Sequence, residues 1–177
     1  MMGYCTADDI RALIRSGLTD RDVEKAIEAA TTRIEEETER VFEASESEAR
    51  VFEAVRDGFC LIDDLLSVSS VWWKGAEVAE DSYKFKPGGY HTPKWAIKGP
   101  WCEDDEVTIT GVWGASEMVP ADLREACAAW VIRVIKQADQ GFQDASAIPD
   151  LGEIVYHAAI PASIRRILDR YSRKVPR

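Results

Sequence analysis

What most restricts the fold of this chain is that its hydrophobic period changes twice. Behind Thr19, the apolar residues Val23, Ile27, Ala30, Ile34 and Val41 return at intervals of four, three, four and seven. That is a single narrow stripe on a long helix. From about Arg50 to Trp113 the period is two. Tyr83 and Phe85 alternate with Lys84 and Lys86, Trp95 and Ile97 with Lys94, Ala96 and Lys98, and Val107, Ile109, Gly111 and Trp113 with Thr108, Thr110 and Val112. Each of these runs reads as a half-buried strand. At Pro120 the helical period returns. The two periods demand different backbones, so the chain reads as helix, strand, helix.

Local signals divide these blocks into elements. Thr6 stands before Ala7, Asp8 and Asp9, a helix start with acids in the first turn. Ile10, Leu13 and Ile14 share a face there, and Ser16-Gly17 closes the element. Thr19 opens a second helix, with Asp22 in the reciprocal position of a capping box. In the middle of the chain, Asp57-Gly58, Lys74-Gly75, Pro87-Gly88-Gly89 and Gly99-Pro100 punctuate about six short strands, Arg50–Val55, Phe59–Ile62 and Ser67–Trp73 among them. Their hairpin spacing makes them antiparallel. Pro120 suits a first helical position. Behind it Leu123, Cys127, Trp130, Val131, Val134 and Ala138 make a broad apolar face. Ile132 and Ile135 carry that face nearly all the way round, so this helix asks for burial on more than one side. Residues 140–160 read as a loop. Pro161 then opens a last helix with Ile164, Ile167, Leu168 and Tyr171 as its stripe and Arg165, Arg166, Arg170 and Arg173 pointing away.

The expected fold is therefore α+β: a bundle of about four helices with an antiparallel β-sandwich or barrel-like insertion between the second and third. The scaffold takes residues 1–48 and 115–177, the insertion 49–114, and the whole 177-residue chain forms one protomer. That length supports a core without staples. The longest uncharged run in the helical part, Ala126 to Ile132, falls far short of the roughly 20 residues of a membrane span. The first residues carry no basic and then apolar leader, which reads as no secretory signal and no membrane partner. Cys5, Cys60, Cys102 and Cys127 form no CxxC pair and lie far from metal-ligand spacing, so they read as reduced thiols acting as small hydrophobes.

Charge narrows the partners. The formal net charge is −10, which argues against gripping phosphates. Yet residues 161–177 hold six basic side chains against one acidic. A basic tail of this kind is either a contact or a solvated terminus. The acidic run Glu35, Glu36, Glu37 and Glu39 reads as a solvated helix face.

Motifs for catalysis are missing. Asp63-Asp64 reads as a turn after a strand, because adjacent carboxylates there point to opposite faces and do not share a proton. His91 sits at a hairpin tip, and His157 has no nucleophile turn beside it. No Walker loop, GxSxG or HExxH appears, so no catalytic residue, metal or cofactor is expected. Five of the six tryptophans fall in the strand region. Alternation turns Trp95 and Trp113 inward. Trp72 and Trp73 cannot both turn inward on a flat strand, so one of them is exposed or covered by a protein partner.

In order and spacing, four stretches resemble the head–tail connector (adaptor, head completion) proteins of long-tailed bacteriophages. The first is Thr6-Ala-Asp-Asp-Ile-Arg-Ala-Leu-Ile with Gly17-Leu-Thr-Asp, Ile27-Glu-Ala-Ala and Ile34-Glu-Glu-Glu-Thr-Glu-Arg-Val-Phe42. The second is Asp64-Leu-Leu-Ser-Val-Ser-Ser-Val71. The third is Val107-Thr-Ile-Thr-Gly-Val-Trp-Gly114 followed by Val119-Pro-Ala-Asp-Leu-Arg-Glu-Ala-Cys127, and the fourth is Ile160-Pro-Ala-Ser-Ile-Arg-Arg-Ile-Leu-Asp-Arg-Tyr171.

The resemblance implies a non-enzymatic subunit of a dodecameric ring beneath the portal protein. Such a ring extends the DNA channel, lets DNA pass without sequence-specific binding, and offers a platform to a stopper or tail-completion protein. It implies residence in the virion, with assembly in the host cytoplasm, and it places Arg165, Arg166, Arg170 and Arg173 at the portal. Residues 139–160 depart from the simplest members. That loop and the one at 87–93 are expected to order on assembly. Trp72, Trp73, Ile132 and Ile135 are the candidate interface residues. A second reading stays open: a soluble module that captures a glycan or peptide on Trp72, Trp73 or Trp101 of the β insertion. A third, a hydrolase built on Asp63, Asp64 and His91, lacks the geometry it needs.

Overall fold

A computed structural model describes residues 3–15, 17–56, 58–139 and 160–173. The chain divides into two compact units, one of Met1–Glu39 with Pro120–Arg177 and one of Arg40–Val119. The second unit is wider than the 49–114 expected because the residues before its first strand bond into it. Ala115 N–H donates to Val41 O (2.7 Å), Ser45 N–H to Trp113 O (2.7 Å), and Arg40 reaches Asp64.

The helical unit holds α1 (Ala7–Leu13), α2 (Asp20–Thr38), α3 (Ala121–Asp139) and α4 (Ala162–Tyr171). Both predicted helix starts are full capping boxes. Thr6 Oγ1 accepts from Asp9 N–H while Asp9 accepts from Thr6 N–H, and Thr19 and Asp22 repeat the exchange. Orphan amides at the two N-termini are thereby satisfied within the sequence itself. The ends differ from expectation. α1 stops at Leu13, with Ile14 extended, so Ile10 is enclosed while Leu13 stays 65% exposed. α2 stops at Thr38, because Glu39 turns left-handed (φ 53°) and Thr38 Oγ–H donates back to Ile34 O at 2.7 Å. Val41 therefore leaves the stripe and is 50% exposed.

Val23, Ala26, Ile27, Ala30 and Ile34 of α2 are buried, as are Leu123, Cys127, Trp130, Val131 and Val134 of α3 and Ile164 and Leu168 of α4. Pro120 and Pro161 act as the residues just before α3 and α4 rather than their first members. Arg124 N–H donates to Pro120 O (3.0 Å) and Arg165 N–H to Pro161 O (2.9 Å).

The β unit holds β1 (Ser47–Arg56), β2 (Phe59–Trp73), β3 (Ala76–Glu77), a 3₁₀ turn (Glu80–Ser82), β4 (Lys84–Lys86), β5 (Lys94–Lys98) and β6 (Glu106–Trp113). They form one antiparallel sheet in the order β1-β6-β2-β5-β4, with β3 added on β2 and a further β1–β2 pairing. β1, β6 and β2 thus pair in a closed circuit, the barrel-like arrangement anticipated. Closure works because β2 is long. Its first residues pair with β1 (Ala54↔Cys60) and β5, and its last with β6 (Trp72↔Thr108).

That length corrects the prediction of two strands separated by an Asp63-Asp64 turn. Both aspartates lie inside β2. Cys60, Ile62 and Asp64 face inward, then Leu65 does, and from there Val71 and Trp73 continue on the other parity. Register shifts on both sides of Leu65 mark the phase change. An extra residue flips the face that each later side chain presents and bends the strand, as a β-bulge does. Gly111 of β6 sits under the bend, where a Cβ would lie 2.2 Å from Ser67 O and 2.7 Å from Leu65 Cδ1. Only glycine permits that approach. The core here is Ile62, Leu65, Val71, Ile97, Val107, Ile109, Trp101 and Trp113.

Candidate functional site

The described residues present surfaces rather than a reaction centre. Asp63 and Asp64 each pair with a different arginine. Asp64, 6% exposed, takes Arg40 Nε at 2.8 Å and Nη2 at 3.2 Å, while Asp63 takes Arg50 Nη1 at 2.8 Å. Each carboxylate is thus committed to its own arginine rather than to its neighbour. His91 is exposed, and His157 lies outside the described residues. Among the described residues, no three His, Cys, Asp or Glu side chains gather as a metal set, and no helix is long and apolar enough to cross a membrane.

The tryptophans fall into distinct roles. Trp113 is enclosed (1% exposed), with its ring 5.3 Å from that of Phe52, Arg50 stacked on it at 5.0 Å, and its Nε1–H donating to Glu48 O. Trp101 is 2% exposed and lies against Gly99, where a Cβ would meet the ring at 2.2 Å. That burial removes it from the set of ligand-capturing residues. Trp95 is only half-buried, because in β5 the enclosed residues are Ala96 and Ile97. Trp73 is half-buried and committed. Its Nε1–H donates to Asp105 Oδ2 (3.1 Å), and Lys74 Nζ lies 4.6 Å over the ring and 3.4 Å from Asp105. Asp105 also accepts from Cys102 N–H at 2.7 Å, and this bond, with those of Trp73 and Lys74, holds its carboxyl below the usual carboxylate range.

Trp72 is the exposed member of the pair, at 43%. The register places it in a row with Thr108 of β6 and Val51 of β1, next to a second row of Ser70, Thr110 and Ala49. All six side chains are uncharged. Val51 is 59% exposed, and Glu53, Glu106 and Glu77 stand at the margin. The patch thus combines an exposed aromatic and an exposed valine with hydroxyl-bearing neighbours inside an acidic rim. Reading the sequence reached Trp72 but missed Val51, Thr108 and Thr110. The signal was present: they occupy the parity opposite to the inward residues, and none of them is charged.

In the helical unit the four arginines separate. Arg165 and Arg166 are exposed. Arg170 Nη2 pairs with Asp122 Oδ2 of α3 at 2.9 Å, and Tyr171 O–H donates to Asp122 Oδ1 at 2.6 Å, which pushes the tyrosine hydroxyl's pKa up. Arg173 is half-buried, and its main-chain N–H donates to Thr38 O at 2.9 Å. Arg170 and Arg173 therefore serve to seat α4 against α3 and the end of α2. Ile132 is half-buried, whereas Ile135 is 1% exposed and presents no open surface in the single chain. Beside α3, Ala26, Ala29 and Ala30 of α2 and Trp130 and Val134 line an open groove of about 500 Å³. The loop 87–93 is held by Lys94 Nζ, which donates to Pro87 O (3.0 Å) and Gly89 O (2.6 Å). Most of the loop expected at 139–160 lies outside the described residues.

No protein-family model matches the chain, and no curated protein does. Among solved structures, the fold is similar to that of a chain in the neck of an empty GTA particle computed with C6 symmetry. The TM-score is 0.59 at 15% identity, over 96% of this chain and 90% of that one. At that identity the likeness is one of fold, and it spans both the helices and the β unit.

Proposed function

We propose that this chain is a structural subunit of the neck of a phage-like particle, a head–tail connector that forms a ring beneath the portal protein. The observation that carries the reading is the fold likeness to a neck chain over 96% of the length. The order of the four sequence stretches points the same way independently. C6 symmetry in the similar particle suits rings of six or of twelve, and the dodecamer belongs to this proposal.

Closed rings need two different, complementary patches on each copy. The uncharged face around Val51, Thr108 and Trp72 supplies one of them. Arg165 and Arg166, free of the seating role that Arg170 and Arg173 take, are the residues assigned to the portal. A net charge of −10 suits a channel wall that DNA passes without being held. A stopper or tail-completion protein would dock on the far side of the ring, and the assembled protein would reside in the virion after assembly in the host cytoplasm. The role is structural, with no reaction to catalyse. The ligand-capture alternative is weakened by the burial of Trp101 and the bonds of Trp73.

The test is to mix the purified chain with the portal ring of its own particle and image the product by negative stain. An annular layer of this chain on one end of the portal is expected, and Arg165→Glu with Arg166→Glu should abolish it. Portal rings that stay bare with the unaltered chain would reject the reading.

A further inference from the structure

The helical unit buries two thiols side by side. Cys5 Sγ and Cys127 Sγ are 3.6 Å apart, although 122 positions separate them in sequence. Cys5 belongs to the short segment before α1, and several contacts pin that segment. Tyr4, 3% exposed, donates its N–H to Thr31 Oγ1 (3.0 Å) and its hydroxyl to Glu35 Oε1 (2.8 Å), and Gly3 lies against Ile27 so closely that a Cβ would sit 2.2 Å from its Cγ2. Cys127 sits on the inner face of α3, 0% exposed, with Thr31 Oγ1 3.9 Å from its sulfur. The sulfurs are already in contact, and a bond needs them to close to about 2.0 Å.

We propose that Cys5 and Cys127 are a redox pair whose disulfide staples the N-terminal segment to α3. The oxidant is a small disulfide such as oxidised glutathione. Cys5, at 7% exposure against 0% for Cys127, is the sulfur that meets it. The Cys5 thiolate attacks one sulfur of the reagent and expels the other half as a thiolate, leaving a mixed disulfide on Cys5. Cys127 then attacks the Cys5 sulfur, the second half leaves, and the two protons lost by the cysteines end on the two expelled thiols. The protein is oxidised by two electrons and the reagent is reduced by two. The hydrogen bond from Cys5 to Cys127, with burial, pushes the Cys5 thiol well above its ordinary range, while the same bond, backed by Thr31, holds the Cys127 thiol below it, so the first attack is the slow step and the second the fast one. A link across so long a loop removes much of the unfolded chain's freedom. On a particle that assembles in a reducing cell and is released from it, which is a use resting on the neck reading above, the staple would set after assembly. The bond itself does not depend on that reading.

The experiment treats the full chain with oxidised glutathione, alkylates the remaining thiols, and maps peptides without reduction. Cys102, the exposed cysteine, is the internal control for reagent reactivity, and Cys60, buried elsewhere, is the control for specificity. Expected is a peptide pair joining Cys5 to Cys127 with a loss of about 2 Da, together with a melting temperature raised by about 5 °C or more. Cys5→Ser should lose both effects, and so should Cys127→Ser. The unaltered chain decides the matter even if a variant fails to fold. Cys5 and Cys127 both recovered alkylated while Cys102 carries glutathione would overturn the proposal, as would a joined pair with no rise in melting temperature.

Discussion

The two units of this chain differ in how deep their ion pairs reach. In the β unit one pair is enclosed, and the others, half-exposed, also lock onto rings and backbone. Asp64 is enclosed with Arg40, Arg50 bridges Glu48 and Asp63 while stacking on Trp113, and Asp105 gathers Trp73, Cys102 and Lys74. In the helical unit the ion pairs lie on the outside, as with Arg11–Asp20, Arg33 with Glu36 and Glu37, and Arg170–Asp122. Among the described residues its interior is apolar, with the thiols, Tyr4 and the hydroxyls of Thr31 and Thr38 as the polar members. The cause is local satisfaction. A helix meets its own backbone needs and can leave charges in water, whereas a sheet that bends and closes needs side chains to hold its irregular places. Removing the enclosed Asp64 should therefore cost far more than removing a charge from the helical surface.

The sharpest test of that contrast is Asp64→Ala. It removes the enclosed carboxylate that takes two bonds from Arg40, and with the arginine side chain still about one-fifth exposed the expected loss is about 3 kcal/mol, the low end for a broken buried pair. Denaturation followed by tryptophan fluorescence suits the measurement, since five of the six tryptophans report the β unit. A loss no larger than that of a surface pair would break the comparison. Next comes Gly111→Ala. Its methyl group meets backbone at Ser67 and cannot be relieved by a side-chain rotation, so about 2 kcal/mol should be lost and the β2–β6 amides should exchange faster.

Smaller effects belong to the helices. Thr19→Ala removes one half of a capping box and should cost about 1 kcal/mol, read by circular dichroism at the helix minimum. Arg33→Ala, which breaks two exposed pairs at once, should stay within about 0.5 kcal/mol.

Acid should act on both units. Hydrogen bonds hold the Asp9 and Asp22 carboxyls low through the threonine caps, and the Cys102 amide does so for Asp105. A depressed folded-state value means stabilisation that is present above the unfolded value of about 3.9 and lost as pH falls through the folded one. Melting temperature should therefore drop between about pH 4 and pH 2, and Asp105→Asn should flatten that part of the curve.

These differences also explain what the amino-acid order reveals. Both capping boxes, the stripes of α2 and α4, and the strand β6 are visible because each is set by residues a few positions apart. The early stop of α2 was not, since it depends on Glu39 adopting a left-handed backbone. The unbroken run of β2 was hidden for a stronger reason. Its parity changes at Leu65, and two adjacent aspartates look like a turn until their arginine partners, Arg40 and Arg50, are known. Ile135 looked like surplus apolar surface because periodicity counts a helix's faces but not the neighbours that cover them. Of the candidate contact surface, Trp72 was legible from the impossibility of burying both members of a Trp-Trp pair. Val51 and Thr108 join it only through strand register.

The central claim is that copies of this chain close into a ring at a portal. Native mass spectrometry of the chain with its particle's portal addresses it directly. The account predicts added mass equal to six or twelve copies of the 19.8 kDa subunit. Portal with no added subunit, and the chain recovered as free 19.8 kDa monomer, would contradict it.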